Sequence, residues 1–264
     1  MSEIDAIYQN LKESKKYRYL CDDTLYRISL WAAKRFKQKK AVKAARKKLH
    51  QVYGAYFEKM NIGKIQEHLD LESGEGDIEE LKTVALDIME SCVSTSERLP
   101  FVAEFYADLF GRIGKPKSIV DLACGLNPLT VPWMNLEPGS QYHAFDIDTR
   151  LIALLNRFLA YFGPGCRAQC ADILVALPEI EADAVFLLKT LPCLEQQEKG
   201  VSDRLLSSLK AKYIVVSFPC QTIGGQVKGM DQHYDTFASQ IFTRLGIDFF
   251  KLTYPSEIFY VTRP

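Results

Sequence analysis

Residues 118–129 read Ser-Ile-Val-Asp-Leu-Ala-Cys-Gly-Leu-Asn-Pro-Leu, and this stretch decides the fold class. A short β-branched run leads into Asp121, and the small-residue turn Ala123-Cys124-Gly125 follows directly. A parallel strand enters a nucleotide-type site in this way, because the strand end presents a carboxylate and the turn lets the backbone approach a ligand closely. One such motif alone is equally compatible with a buried strand that ends in a solvated acid.

Two further predicted strands also end in acids. Asp146 follows Gly125 by 21 residues, and Asp172 closes a third strand. An acid at the second position binds ribose hydroxyls. A dinucleotide conventionally needs G-x-G-x-x-G against its pyrophosphate, and this chain has only Gly125 at the turn. S-adenosylmethionine has no phosphate, and its cationic groups favour nearby carboxylates such as Asp121, so it suits the pattern better.

The rest of the sequence after residue 114 alternates strand and helix patterns. Such βα alternation predicts a doubly wound, Rossmann-like α/β sheet of the methyltransferase type, with helices between the first five strands. The last two strands lack an intervening helix and should form an antiparallel hairpin at the edge of a mostly parallel, seven-stranded sheet. The predicted strands are 118–123, 141–147, 166–171, 183–189, 212–218, 247–254 and 257–263.

The sequence before residue 93 shows helical periodicity and no strand signal. We predict an all-helical domain over residues 1–92 and a methyltransferase domain over 93–264. The segment Ser94-Thr95-Ser96-Glu97 has the form of a capping box that opens a helix over 97–112. The other predicted helices are 3–20, 22–37, 40–57, 62–71, 77–92 and 231–245.

Composition narrows the class of protein. The chain is 47% hydrophobic, which is ordinary for a globular core, and no apolar run reaches the ~20 residues that a transmembrane helix needs. Its polar, acidic start does not predict a signal peptide. Seven cysteines without a C-x-x-C pair favour reduced thiols in the cytoplasm and no metal site.

Charge is distributed unevenly along the chain. Residues 1–60 contain 15 Lys/Arg and 6 Asp/Glu, whereas residues 61–264 contain 18 and 27. A basic segment on an otherwise acidic protein is typical of a module that binds a polyanion such as RNA. The alternative is a well-solvated helical surface.

The segment Phe218-Pro219-Cys220-Gln221 suggests a different chemistry. It resembles the nucleophile loop of cytosine-C5 methyltransferases, which attack the pyrimidine with a thiolate. That loop follows the fourth strand, whereas Cys220 follows the predicted fifth; Cys193 follows the fourth but lacks the glutamine. We therefore interpret both cysteines as packed thiols.

Several motifs together resemble one family over nearly the full length. The chain is similar to the aminoglycoside-resistance 16S ribosomal RNA (guanine-N7) methyltransferases. The matching stretches are Ser14–Tyr17, Lys48–Tyr56, Ser94–Arg98, Asp121–Leu129, Ala144–Ile147, Leu187–Pro192, Ser217–Pro219, Gly224-Gly225 and Lys228–Met230.

The resemblance implies S-adenosylmethionine as cofactor and assigns its contacts. Arg98 should hold the methionine carboxylate, Asp121 and Gly125 should line the methionine side, Asp146 should bind the ribose and Asp172 the adenine amino group. Their neighbours complete the predicted pocket: Ala123, Ile147, Ile173 and Leu188. Relatives usually carry histidine where this chain has Cys92, which leaves that contact open.

The resemblance also implies the substrate, a guanine in the decoding site of 16S rRNA within the assembled 30S subunit. Guanine N7 has an available lone pair, so the reaction needs positioning rather than a strong base, and the base must flip out of its helix. Lys189 should lie near the target base, with Phe218 or Tyr106 as an aromatic wall. The implied RNA contacts are Lys15, Lys16, Arg18, Arg46, Lys47, Lys48, Lys228 and Met230.

Two alternatives remain open from the residues alone. The chain could methylate another RNA or a small molecule, although a small-molecule enzyme would not need the basic helical domain. It could also be a ribosome-binding protein with an inactive methyltransferase fold, but it retains Arg98 and the acids of the predicted cofactor site. We expect a monomer that binds neither DNA nor a membrane.

Overall fold

The computed structural model describes residues 2–54, 77–90, 92–220 and 230–263. Seven strands form a sheet in the order β3-β2-β1-β4-β5-β7-β6. Each strand end lies within one residue of its prediction. The strands are β1 (Ser118–Leu122), β2 (Gln141–Asp146), β3 (Cys166–Cys170), β4 (Ala182–Leu188), β5 (Ala211–Pro219), β6 (Asp248–Thr253) and β7 (Glu257–Arg263).

The pairing of the strands confirms a mostly parallel sheet with an antiparallel hairpin. β1 pairs in parallel with both β2 and β4, and its β-branched residues Ile119 and Val120 are buried. β7 is antiparallel to β5 on one side and to β6 on the other, so the hairpin inserts its second strand between β5 and β6. The carboxyl ends of β1 to β5 consequently meet at one edge of the sheet.

Helices pack on the faces of this sheet and form the amino-terminal region. α1 begins with a capping box in which Asp5 N–H donates to Ser2 Oγ at 3.1 Å. A π-helical segment, His50–Gly54, continues the third helix. The helices are α1 (Glu3–Lys12), α2 (Asp22–Ala33), α3 (Lys39–Leu49), α4 (Ile78–Glu90), α5 (Val93–Ser96), α6 (Val102–Ile113), α7 (Val131–Met134), α8 (Thr149–Leu159), α9 (Leu191–Glu195), α10 (Val201–Ser208) and α11 (Met230–Leu245).

Several predicted helices differ from the observed ones. α1 and α2 end eight and four residues before their predicted ends. The predicted helix 40–57 corresponds to α3 and the π-helical segment as far as Gly54, and its last three residues lie outside the described residues. The predicted helix over 97–112 begins only at Val102, after a 3₁₀ turn at Leu99–Phe101 that contains Pro100. The Thr95 hydroxyl points back towards α4, within hydrogen-bond distance of the carbonyl oxygens of Met89 and Cys92 at 2.9 and 3.0 Å. Residues 171–181, between β3 and β4, contain no helix. The predicted helix 62–71 lies outside the described residues.

The helical region and the sheet have separate hydrophobic cores. α1, α2, α3 and the π-helical segment share a core that includes Ile7, Leu25 and Tyr53. Leu81 and Ile88 of α4 instead belong to the core of the sheet. We infer that the helical domain ends before Ile78, whereas the sequence predicts its end at residue 92. Within the described ranges, we find no helix with the length and apolarity needed to cross a membrane.

The helical domain is joined to the sheet next to the end of β2. Cys21 N–H donates to the carbonyl oxygen of Ile147 at 2.8 Å, and Thr149 N–H donates to that of Tyr19 at 2.9 Å. Leu20 forms an isolated antiparallel bridge with Asp148. These backbone contacts place α2 over the carboxyl ends of β2 and β3, where two of the predicted acids lie.

Candidate functional site

A cleft of about 1050 Å³, part of it open to solvent, lies at the carboxyl ends of β1 to β4. The sheet supplies its floor through the turns that follow these strands. The helical domain supplies part of its wall through Arg27, Val52 and Tyr53. Predicted cofactor and catalytic residues that line the cleft are Arg98, Ala123, Gly125, Asp146, Ile147, Asp172, Ile173, Leu188 and Lys189.

Asp146 and Gly125 form a compact unit at the floor of the cleft. The Asp146 carboxylate accepts the N–H of Gly125 at 3.0 Å and the N–H of Ile147 at 2.7 Å. Burial raises the pKa of Asp146, and these backbone donors oppose the rise. Gly125 has φ +52°, and a Cβ there would meet no atom within 4 Å and would project into open space. The unit therefore leaves room for a ligand against the backbone, as S-adenosylmethionine requires.

Asp172 is held by the helical domain. Its carboxylate accepts the Thr24 hydroxyl at 2.8 Å and Arg27 Nε at 2.9 Å, and it caps the turn at Leu174 N–H at 2.9 Å. Arg27 Nη2 also donates to Gln197 Oε1 at 3.0 Å. Arg27 therefore ties α2, the end of β3 and the segment after α9 together around the cleft.

Arg98 lies at the other wall and is only 2% exposed. Its Nε and Nη2 donate to the two oxygens of Glu257 at 3.0 and 2.6 Å, and Nη1 donates to Asn127 Oδ1 at 2.7 Å. Glu257, the first residue of β7, is 0% exposed and also accepts a short hydrogen bond from Ser217. This bidentate, buried pairing fixes the guanidinium in one orientation at the cleft wall.

Lys189 joins the same cluster of charges from the end of β4. Its Nζ lies 2.7 Å from Glu97 Oε2 and 3.6 Å from Glu257 Oε2. Its backbone has φ +54°, and Ala123, at the end of β1, has φ +51°. Such values are uncommon for residues with a Cβ and are maintained by surrounding contacts. Both strained residues lie in the cleft, which is typical of functional sites.

Asp121 lies beneath the cleft and does not line it. The side chain is 1% exposed, and its Oδ2 accepts Tyr142 OH at 2.6 Å and Asn127 Nδ2 at 2.9 Å. Its Oδ1 is buried without a hydrogen-bond partner. Burial raises the pKa of Asp121 to about 7. Because Asn127 also accepts from Arg98, the Asn-Pro-Leu part of the opening motif connects this acid to the Arg98 wall.

The aromatic wall predicted from Phe218 or Tyr106 is not found in the described cleft. Phe218 is 1% exposed and packs against Tyr234 and Tyr260, with ring centroids 5.2 and 5.7 Å away. Tyr106 is buried and its hydroxyl lies 2.7 Å from Thr130 Oγ1. Both side chains are core residues in this structure. Cys193 lines the cleft and Cys220 does not.

The predicted RNA contacts occupy different environments. Lys15, Arg18, Arg46 and Lys47 are exposed, and Lys16 is half-buried, with Nζ 3.1 Å from His50 Nδ1. Lys48 Nζ donates to the carbonyl oxygen of Gln196 at 2.9 Å and so connects α3 to the segment after α9. Met230 begins α11, and Lys228 lies outside the described residues.

Sequence reasoning missed Glu257, Arg27 and Tyr53. Glu257 directly precedes the apolar run Ile-Phe-Tyr-Val. A single acid at the start of a buried strand could have indicated a buried ion pair. Arg27 is the only basic residue of α2, and no motif around it pointed to a functional role. No group of three or more potential metal ligands occurs among the described residues.

Comparisons of sequence and of structure with known proteins all point to ribosomal RNA methyltransferases. Residues 13–261 match the family described as ribosomal RNA methyltransferase (FmrO). A 16S rRNA (guanine(1405)-N(7))-methyltransferase of Micromonospora echinospora is 37% identical over 242 residues, which cover 90% of this chain and 88% of the relative. One from Frankia casuarinae is 34% identical over 98% of this chain and 93% of its own. The crystal structure of 16S rRNA methyltransferase RmtF in complex with S-adenosyl-L-homocysteine superposes with a TM-score of 0.85 at 31% identity, covering 100% of this chain and 99% of RmtF.

Proposed function

The chain belongs to the ribosomal RNA methyltransferase (FmrO) family, and we propose that it transfers the methyl group of S-adenosylmethionine to N7 of a guanine in 16S rRNA. The target would be the decoding-site guanine numbered 1405 in the names of its relatives, within the assembled 30S subunit. Methylation there would give aminoglycoside resistance. The proposal places a monomeric enzyme in the cytoplasm, where 30S subunits are found.

The observation that carries this proposal is the cleft itself, taken with the family match that extends over both domains. The cofactor contacts assigned by resemblance, except Asp121, line one cavity, with acids at the ends of β2 and β3 and a buried arginine opposite. The cleft combines apolar lining residues with a few convergent polar groups and opens to solvent, as small-molecule sites commonly do.

The residues that would hold the cofactor fit its chemistry. Arg98 would bind the methionine carboxylate, Asp146 the ribose hydroxyls and Asp172 the adenine edge. When bound, S-adenosylmethionine supplies a methyl group on a cationic sulfur. Asp121 would act from beneath the floor, through Asn127, by orienting Arg98.

Positioning rather than proton removal should be the task of the remaining side chains. Guanine N7 presents a lone pair, so methylation does not require a base on the enzyme to act first. Lys189, ion-paired with Glu97 at the cleft, would place a cation next to the flipped base. Because guanine N7 is itself the nucleophile, the reaction does not need a nucleophilic cysteine, and we assign no such role to Cys193.

The exposed basic residues of the helical domain would bind the rRNA backbone. Arg46 and Lys47 lie on the outer face of α3, where Lys39, Lys40 and Lys43 are also exposed. Phosphate contacts of this kind fix the position of a protein on folded RNA without reading its sequence.

One experiment tests the reaction and the target atom together. The full-length protein is incubated with labelled S-adenosylmethionine and with 30S subunits, naked 16S rRNA or tRNA, and the RNA is then treated with borohydride and aniline, which cleave at N7-methylguanine. We expect label and cleavage at one guanine of 16S rRNA from 30S only. Absence of label in 30S would refute the proposal, and label without cleavage would show a different methylated atom.

A charge reversal on α3 tests the RNA surface. Lys43→Glu with Lys47→Glu should weaken 30S binding at least about tenfold and leave cofactor affinity unchanged, because each lost phosphate contact reduces affinity. Lys212→Glu is a matched control, since its side chain is 75% exposed at the start of β5, away from the cleft. Equal 30S binding by all three proteins would refute this surface.

A further inference from the structure

Two cysteines from different domains meet beside the cleft. Cys21 precedes α2 in the helical domain, and Cys170 ends β3. Cys21 N–H donates to the carbonyl oxygen of Ile147 at 2.8 Å, and the Cys170 thiol donates to the same oxygen at 3.5 Å. Both cysteines therefore contact the same carbonyl oxygen, Cys21 through its backbone N–H and Cys170 through its thiol. The pair is therefore already assembled in the folded protein, although 148 residues separate its members in the sequence.

The surroundings make one thiol reactive and the other accessible. The neighbouring Cys170 side chain and Thr24 together lower the pKa of Cys21 to about 7, although burial opposes this. A thiol of this kind is partly thiolate at neutral pH, and the thiolate is the nucleophile. Cys170 is exposed and Cys21 is partly buried. Oxidants can therefore reach the pair from solvent.

We propose that Cys21 and Cys170 are a redox modification site, at which hydrogen peroxide converts the two thiols into a disulfide that fastens the helical domain to the sheet. The Cys21 thiolate attacks the peroxide O–O bond to give Cys21 sulfenic acid and a hydroxide leaving group, which takes up a proton to become water. The Cys170 sulfur then attacks the Cys21 sulfur, and the S–O bond breaks with release of a second water. The two electrons lost by the sulfurs reduce one molecule of hydrogen peroxide.

The position of the pair gives the crosslink a structural consequence. The Cys21 sulfur lies 3.1 Å from Thr24 Oγ1, and the Thr24 hydroxyl donates to Asp172 at 2.8 Å. A covalent bond here would hold α2, with Thr24 and Arg27, against the acid at the end of β3. The closed loop is long, so the bond should strongly restrict the unfolded chain. The proposal does not depend on the identity of the RNA target.

Peptide mapping of the full-length protein tests this proposal directly. The reduced protein is treated with a small excess of hydrogen peroxide, alkylated, digested without reductant and analysed by mass spectrometry. We expect a Cys21–Cys170 crosslinked peptide that disappears after dithiothreitol. The melting temperature of the oxidised protein should rise by about 5 °C and return on reduction.

Matched cysteine variants distinguish the pair from general oxidation. Cys170→Ser should abolish both the crosslink and the temperature shift, whereas Cys166→Ser, on the same strand, should retain both. Cys21 recovered unmodified or as sulfinic acid, with no crosslink in the wild-type protein, would overturn the proposal. A crosslink of Cys170 to any other cysteine would overturn it as well.

Discussion

The two sides of the cleft, the floor side with Asp146 and Asp172 and the opposite wall with Arg98, are built in different ways. The floor side consists of short local motifs, in which a strand ends in an acid and the following backbone N–H groups bind it, as at Asp146 and Ile147. The opposite wall joins Arg98, Lys189 and Glu257, which come from three separate parts of the chain. The floor side depends mainly on backbone donors, with one partly exposed ion pair between Arg27 and Asp172, whereas the opposite wall depends on buried ion pairs. The two sides should therefore respond differently to mutation.

The largest expected effect is at Glu257. Glu257→Gln would leave Arg98 and Lys189 buried with less compensating charge, and breaking a buried pair from one side typically costs 3–5 kcal/mol. We expect a loss of about that size in the free energy of unfolding, measured with urea, and weaker binding of S-adenosylmethionine by calorimetry. Glu97→Gln, at a carboxylate that is 26% exposed, is the control and should cost about 1 kcal/mol or less.

A double variant sharpens the same contrast. Replacing Arg98 and Glu257 together, as Arg98→Met with Glu257→Leu, removes both charges and should recover much of the lost stability, because apolar replacement of a buried pair is often neutral. Cofactor binding should stay lost, since the proposed carboxylate ligand is gone. If the double variant bound S-adenosylmethionine normally, Arg98 would not be a cofactor residue.

A smaller, pH-dependent effect is expected at Asp121 on the floor side. Its pKa is raised by burial to about 7 from an ordinary value of 3.8, so the folded state holds a proton that the unfolded state releases. Stability from this group is therefore greatest below pH 4 and falls as the pH rises towards 7, by on the order of a few kcal/mol in total.

Asp121→Asn should remove this decline. The amide oxygen can still accept from Tyr142 and Asn127, and the amide nitrogen would replace the unpartnered Oδ1. Thermal melts between pH 4 and 7.5 should show a flatter profile for the variant than for the wild type. Asp183→Asn is the control, because Lys212 lowers the pKa of Asp183, so this carboxyl titrates at and below the acid end of the range and its replacement should leave the slope above pH 4 unchanged. Parallel profiles of wild type and Asp121→Asn would contradict the assignment.

The floor side depends on local sequence motifs and the opposite wall on tertiary contacts, and this difference explains which parts of the site could be predicted from sequence. Strand ends, the sheet hairpin and the acids Asp146 and Asp172 depend on local patterns, and the structure brings both acids to the cleft. Glu257 becomes meaningful only through tertiary contacts with Arg98 and Ser217, which no local pattern encodes. Phe218 shows the converse, since an aromatic residue inside a family motif is a core residue here.

Local signals also failed where tertiary contacts competed with them. Thr95 has the sequence context of a helix start, but its hydroxyl donates backwards to Met89, and the next long helix begins at Val102. Residues 171–181 were expected to contain a helix. This segment instead contains a turn, in which the Asp172 carboxylate accepts the N–H of Leu174. It then passes through Pro178 and reaches β4 without forming a helix.

The smallest expected effect concerns Arg27, which joins the helical domain to the floor-side wall. The Arg27 side chain is 23% exposed, so its pair with Asp172 is partly screened and should contribute about 1 kcal/mol to the free energy of unfolding. Arg27→Ala should also weaken S-adenosylmethionine binding by about three- to tenfold, because Asp172 would lose the group that orients it towards the cleft. Arg204→Ala, at an exposed pair with Glu198, is the matched control and should change neither quantity. If Arg27→Ala bound the cofactor like wild type, the acids on the strand ends would suffice for that wall, and the helical domain would serve RNA binding alone.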